Sequence, residues 1–370
     1  MTKSNIVCTV NIIQHNNGEL TVEKIKIGFV GVGAMGQCAH LKNYAVLPDC
    51  EVAAIAELRE ELGHKVATRY GVPHVYKNHE EMLAKEKLDG IVASQPFTRH
   101  GTLIPELLKA GIPIFTEKPI AGSIECGEII LAALEKTNTW HMVGYHKRSD
   151  PATMYAKAEI DRLKRTEELG KMHYVRITMP PGDWVAGGFE DMIKSNDPIP
   201  KLEEDPMPRD MDDNTYKKYL EFVNYYIHQI NLMRYLLGEP YRVDYADPSE
   251  VLLVVRSESG ITGTIEMSPY QTTTDWHESA LVAFEHGYIK LKLPAPLAIN
   301  RPGQVEIFKD PGGSKPETIS PTLPWVHAMR QQAINFISAI KGETKPPCEA
   351  AEAVEDLKIA RDYIRMLTGK

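Results

Sequence analysis

From residue 24 onward, short apolar runs alternate with segments whose apolar positions recur at helical spacing, the pattern of βαβ units built on a parallel sheet. The runs at 24–30, 51–57, 90–93, 112–116 and 139–144 read as strands. Helices are expected between them at about 34–47, 59–69, 79–86, 100–110 and 123–137. Gly71 and Gly111 stand just past two of these helices, where a left-handed residue closes the last turn. Beyond residue 145 the apolar period changes to two, at 172–179, 251–256, 261–267, 279–284 and 288–293, which predicts an antiparallel or mixed sheet with one covered face. Helices over 215–237, ended by Gly238 and Pro240, and over 325–340, ended by Gly342, frame that sheet. A final helix over 350–367 is expected to pack back on the first domain. The division is an extension at 1–23, a first domain at 24–145 and a second at 146–370.

The extension reads as an added edge strand, with Asn16-Asn17-Gly18 as its turn. Its apolar run, residues 6–13, is interrupted by Asn11, follows only Lys3, and lacks a small-residue cleavage site, so it does not read as a signal peptide. No stretch reaches the ~18 apolar residues that span a bilayer, so no membrane partner is expected. A formal charge of -8 over 370 residues gives no attraction to nucleic acid. Five scattered cysteines without a C-x-x-C pair suit a reducing, cytoplasmic compartment. Residues 182–214 are irregular and acidic, and read either as a solvated insertion or as a lid that offers Trp184 as a stacking surface for a sugar ring.

Gly31-Val32-Gly33-Ala34-Met35-Gly36 follows the strand at 24–30 and opens a helix, the context in which G-x-G-x-x-G signals a dinucleotide site. Gly31 permits a tight turn, Gly33 lets the backbone approach a pyrophosphate, and Gly36 allows close strand–helix packing. Glu57 ends the next strand, 21 residues after Gly36, where a carboxylate accepts from ribose hydroxyls and repels a 2'-phosphate, which favours NAD over NADP. Arg59 complicates that preference, since it either turns to a phosphate or pairs with Glu60 or Glu61. The first domain is therefore read as a Rossmann doubly wound parallel sheet, and the second as an α+β domain with a large, mainly antiparallel open sheet.

Glu117-Lys118-Pro119 stands directly after the strand at 112–116, at the carboxyl edge where cofactor and substrate meet. An ammonium there can hydrogen-bond a reacting oxygen and stabilise alkoxide character. On the helix at 215–237, Asn224, His228, Asn231 and Tyr235 fall on one stripe, and His228 suits the proton half of alcohol oxidation. His141, His146 and Asp150 are close in sequence but match no metal-ligand spacing, and no metal is expected.

Together these segments resemble the glucose-fructose oxidoreductase, inositol dehydrogenase and MocA family, Gfo/Idh/MocA, over nearly the whole chain after residue 23. The resemblance rests on the glycine motif, Glu57, Tyr76 to Leu83 with Leu88-Asp89-Gly90, Gln95-Pro96 to His100, Glu117-Lys118-Pro119 and the segment from His228 to Gly238. It implies a nicotinamide-dependent oxidoreductase acting on a secondary alcohol or ketone of a sugar or related ring, with Lys118 and His228 at the reacting oxygen. It also implies cofactor contacts from Gln95, Pro96, His100, Glu117 and Lys118, substrate contacts from His146, Arg148, Trp184, Asn224 and Tyr225, with the Asn224 amide orienting the substrate or the His228 imidazole, and a homo-oligomer, dimer or tetramer, through the C-terminal sheet. Many relatives carry aspartate where this chain has Asn224, which weakens His228 as a base and leaves Lys118, Tyr225, Tyr226 or His146 as other proton routes. Asn224 and Gly182-Asp183-Trp184 lean the reading towards the 3-hydroxyl of a glucoside. Inositol oxidation, a retained cofactor cycling between two sugars, and an idle NAD-binding sensor or scaffold remain the alternatives.

Overall fold

The computed structural model describes residues 12–14, 20–22 and 24–369. Among the described residues, strands β1 (Ile12–Gln14) and β2 (Leu20–Val22) pair with each other as a two-stranded antiparallel sheet, and not with either larger sheet. The turn expected at Asn16-Asn17-Gly18 lies outside the described residues.

Six parallel strands form the first large sheet: β3 (Ile25–Val30), β4 (Cys50–Ala56), β5 (His74–Tyr76), β6 (Gly90–Ala93), β7 (Ile114–Glu117) and β8 (His141–Gly144). Their order, β5-β4-β3-β6-β7-β8, reverses direction between β3 and β6. The crevice outside the carboxyl ends at such a reversal is where doubly wound sheets hold ligands. All four residues of β6 and of β8 are buried, as expected for strands covered by helices on both faces. The sequence pattern does not announce β5, which is three residues long and half-exposed.

The second sheet contains β9 (Met172–Thr178), β10 (Tyr241–Ala246), β11 (Leu252–Ser257), β12 (Thr262–Glu266), β13 (Glu278–Phe284), β14 (Gly287–Leu293), β15 (Gln304–Lys309) and β16 (Glu317–Ile319). The order is β10-β11-β12-β9-β13-β14-β15-β16, antiparallel throughout except for the parallel pair β12 and β9. Along β13, buried Glu278, Ala280, Val282 and Phe284 alternate with half-exposed Ser279, Leu281 and Ala283, so one face is covered and the other left open.

Two helices depart from expectation. Pro151–Thr166 is a helix in a stretch that the alternating pattern passed over; Asp150 caps it by accepting from Ala152 N, and Pro151 occupies its first turn. The helix expected at 215–237 is two, Asp213–Tyr225 and Ile227–Leu237, interrupted at Tyr226 (φ -99°, ψ -2°). The final helix, Ala350–Thr368, lies between the two sheets' helical layers: Arg361 donates to both Glu125 carboxylate oxygens at 2.7 Å, and fully buried Asp356 accepts from Arg234 and Asn231.

Candidate active site

The glycine motif opens the site. Gly31 has a φ of 88°, and a Cβ there would lie 2.2 Å from Gln95 Nε2, so only glycine fits. A Cβ on Gly36 would fall 2.5 Å from the Gly31 carbonyl, which fixes how closely β3 and the next helix approach. At Gly33 the space is open, its nearest neighbour being Arg59 Nη2 at 3.5 Å. The helix after the motif is wound as a π-helix over Gly36–Leu41 before an α-helical turn at Lys42–Tyr44, shorter than expected and of a kind found often at functional sites. A bare backbone at Gly33 leading into a helix start fits a dinucleotide pyrophosphate.

Glu57 ends at this loop, and its bonds are specific. Its Oε2 accepts from Val32 N at 2.9 Å and Arg59 Nη2 at 3.1 Å, while Oε1 accepts from Arg59 Nε at 2.8 Å and Arg59 N at 3.1 Å. Arg59 therefore pairs with Glu57, not with Glu60 or Glu61. The two oxygens of a carboxylate offer about four acceptor positions, and all are filled from the protein.

Across from the glycine loop, a cavity of about 510 Å³ opens between the two large sheets, within the range of small-molecule sites. Gly33, Ala34 and Met35 form one wall with Gln95 and Pro96, and Glu117, Lys118, His146, Trp184, Asn224, Tyr225 and His228 face the same space. Thus β3, β6 and β7 deliver one set of residues by their carboxyl ends, and the helix break at Tyr226 delivers the other.

The break has a chemical consequence. The Asn224 carbonyl, at the end of the first helix, accepts from Lys118 Nζ at 2.6 Å, which ties the ammonium to the helix break across the cavity that both residues line. The Asn224 contribution seen here is its backbone oxygen, where the sequence suggested its amide. Burial holds the Lys118 ammonium below the ordinary lysine range, opposed by Glu117 and reinforced by Lys147. Burial pushes Glu117 up, but the 2.7 Å bond with His40 and the charge of Lys118 outweigh it, so the carboxyl ionises below its usual range. His228 is held well below its ordinary value by burial, then by His146, Lys118 and Lys147, and so is neutral at physiological pH. Its Nδ1 is buried without a partner, and its ring meets that of His146 edge to face with centroids 4.4 Å apart.

Several functional candidates escaped the sequence. Lys147 lines the cavity, pairs with buried Glu278 and lies 5.7 Å from the Trp276 ring centroid; Trp276 Nε1 in turn donates to Glu278 at 3.0 Å. Lys147 adjoins His146 in sequence, but its partner lies 131 residues away, a pairing no local signal reveals. Trp276 and Phe97 add aromatic surface to the cavity that Trp184 also lines, a grouping that only the fold assembles.

Two expected contacts are corrected. Arg148 does not face the cavity: it is buried, paired with Glu352, and donates to Asn231 Oδ1 at 2.6 Å and to the Pro347 carbonyl. His100 is fully buried, its ring nitrogens 3.0 and 3.3 Å from the Ile120 and Gln95 carbonyls, so it braces the loops that carry Gln95 and Lys118 instead of touching a cofactor. The stripe on the split helix also divides, since Asn231 and Tyr235 turn to the Arg148 network while Asn224 and His228 face the cavity. Among the described residues, no group of three or more His, Cys, Asp or Glu is placed to hold a metal, and no helix is long and apolar enough to cross a membrane. His141 bonds Thr116 at 2.8 Å and Asp150 caps a helix, so neither joins His146 in a cluster.

Residues 25–145 match the Gfo/Idh/MocA family, described as an oxidoreductase family with an NAD-binding Rossmann fold. Myo-inositol 2-dehydrogenase of Thermotoga maritima is 23% identical over 268 residues, 66% of this chain and 68% of that one. Among solved structures, levoglucosan dehydrogenase in complex with NADH and levoglucosan superposes with a TM-score of 0.69 at 17% identity, covering 94% of this chain and 98% of the other. An aldose-aldose oxidoreductase from Caulobacter crescentus, complexed with glycerol, gives 0.68 at 16% identity with the same coverage.

Proposed function

We propose, on the match of residues 25–145 to the Gfo/Idh/MocA oxidoreductase family, that the chain oxidises a ring secondary alcohol of a sugar or glycoside with NAD, at C3 of a glucoside by preference. The coarser activity, a nicotinamide-dependent CH–OH dehydrogenase, is that of its relatives. The observation that carries the reading is the shared cavity: Lys118, after the strand β7, and His228, after the helix break at Tyr226, line one space with the glycine loop.

Bound nicotinamide supplies the acceptor for the two electrons and hydrogen leaving the ring carbon. Gly33, Ala34 and Met35 would hold its pyrophosphate end by backbone N–H groups, and Glu57 its ribose. Lys118, fixed by the Asn224 carbonyl, donates a hydrogen bond to the reacting oxygen and stabilises its developing negative charge. His228, neutral through burial, takes the proton. Trp184 and Trp276 present aromatic faces to the apolar side of a pyranose ring. The half-exposed face of the eight-stranded sheet, with Tyr174 and Leu281, is the surface proposed for a second copy of the chain.

The test is reduction of NAD and of NADP, followed by the near-ultraviolet absorbance of reduced nicotinamide, with glucosides, free hexoses and inositols at enzyme concentrations that reveal one turnover. Reduction by a glucoside, with NAD preferred, on a preparation that light scattering shows to be oligomeric, is the expected result. Cofactor binding without reduction by any ring alcohol contradicts the proposal.

A further inference from the structure

Oxidation of an alcohol with nicotinamide releases one proton for every hydride transferred, and a ring compound that fills the cavity leaves water little access to that proton. Adjoining the cavity is a second, far smaller one of about 10 Å³, room for a single water molecule. His146, Lys147 and Pro296 line both spaces and so form the partition between them. Of the three, Pro296 cannot carry a proton, and the Lys147 ammonium is held by Glu278. His146 is buried, yet among the described residues no protein group hydrogen-bonds either of its ring nitrogens. An imidazole in that state takes a proton on one nitrogen as it releases one from the other. Its ring meets that of His228 at 4.4 Å between centroids, and His228 Nδ1 is itself buried without a partner.

Asp150 lines the smaller cavity together with His146. It is fully buried, and among the described residues no lysine or arginine forms an ion pair with it, an unusual state for a buried carboxylate. Its bonds come from the backbone: Oδ1 accepts from Ala152 N at 2.8 Å and Gly303 N at 3.1 Å, and Oδ2 from Gly303 N at 3.1 Å. The charged or titratable groups that face it are His146 and Lys147 from the preceding turn and Arg301 from the chain before β15. The other elements packed there are apolar at the cavity, with Leu293 from β14 and Ala328 from the helix Ala328–Ile340. His146 in turn feels the charges of Lys147, Lys118 and His40. Arg301 is exposed, so the wall it forms reaches solvent.

We propose that His146, the water-sized cavity and Asp150 form a proton exit, which carries the proton of alcohol oxidation from His228 to solvent beside Arg301 and away from the substrate. The inference rests on the dehydrogenase reading and deepens it. The ring carbon gives its hydride to nicotinamide, and the hydroxyl proton passes to His228. His228 hands it to His146, which releases a proton from its other nitrogen through the water to Asp150, and Asp150 loses one to solvent. Each protein group returns to its starting state, and nicotinamide is the only oxidant. Burial pushes the Asp150 carboxyl up to about 6, so it gains and loses a proton close to neutrality.

Two measurements test the exit, and the first needs no turnover. In full-length protein labelled with nitrogen-15 histidine, the ring resonances of His146 are followed through the window around pH 6 in which Asp150 titrates. They are expected to shift with that titration in wild type and to lose the shift in Asp150→Asn, which keeps a capping oxygen. Resonances that do not respond, or respond equally in the variant, overturn the proposal. In the second, one turnover is followed in weak buffer by nicotinamide absorbance and by a pH-indicator dye together. The proteins are wild type, Asp150→Asn and Ala298→Leu, which adds bulk at the wall of the small cavity, each checked for folding by its thermal melt. Proton release is expected to keep pace with reduction in wild type and to lag it about tenfold or more in both variants. Release in step with reduction in every folded protein overturns the exit and leaves the dehydrogenase reading standing. If no ring alcohol reduces nicotinamide, the dehydrogenase reading falls, and the link from His146 to Asp150 stands or falls on the nitrogen-15 shifts.

Discussion

Glu57 and Arg59 show what a single residue pair decides. The spacing from Gly36 marked Glu57 as the candidate ribose acceptor, but it could not reveal that Arg59 occupies the same oxygens. A carboxylate with all its acceptor positions filled must exchange a bond with Arg59 before it can take ribose hydroxyls, and the displaced guanidinium then lies beside Gly33, where a 2'-phosphate would be welcome. Arg59→Ala is expected to tighten NAD and weaken NADP, moving the ratio of their dissociation constants by about tenfold. Titration of both cofactors by protein fluorescence checks it, and an unchanged ratio means that Arg59 plays no part in the choice. Arg148 teaches the converse: beside His146 it looked like a substrate contact, but its partner Glu352 lies 204 residues away, and the pair removes it from the cavity.

At the scale of elements, the parallel sheet was legible because its central strands are apolar on both faces and two of its helices are closed by glycines, Gly71 and Gly111. The helix Pro151–Thr166 was not, since it buries only one narrow face and most of its surface is polar, although Asp150-Pro151 is the start signal such a helix leaves. The interruption at Tyr226 was equally hidden, for no glycine or proline marks it; the Tyr226 hydroxyl donates to the Met267 carbonyl at 2.6 Å, a tertiary bond. Asp150 itself carries a pH signature. Burial pushes its carboxyl up to about 6 despite the backbone bonds it accepts from Ala152 and Gly303. Between the unfolded value near 3.9 and about 6 the folded chain holds the extra proton, so this group makes stability fall as pH rises through that window, by on the order of 3 kcal/mol. Asp150→Asn keeps a capping oxygen and removes the titration. Urea unfolding across the window is expected to show a shallower decline for the variant than for wild type; parallel profiles would disprove the assignment.

The whole molecule places its chemistry where neither sheet is complete alone. Lys118 arrives on the Rossmann side and His228 on the other, and the helix Ala350–Thr368, tied to Glu125 by Arg361 and to Arg234 by Asp356, braces both. The sequence named those two residues from their positions and their resemblance to a family, while the aromatic walls and the Lys147–Glu278 pair had to wait for the fold, because their partners come from distant segments. The central claim is that these two side chains perform the proton and charge work of alcohol oxidation. Its most direct measurement is the single-turnover rate of nicotinamide reduction in Lys118→Ala and His228→Ala, with the cofactor dissociation constant measured on the same proteins. The account predicts a rate at least about a hundredfold below wild type in each, with cofactor affinity retained. Reduction at the wild-type rate by either variant would contradict it.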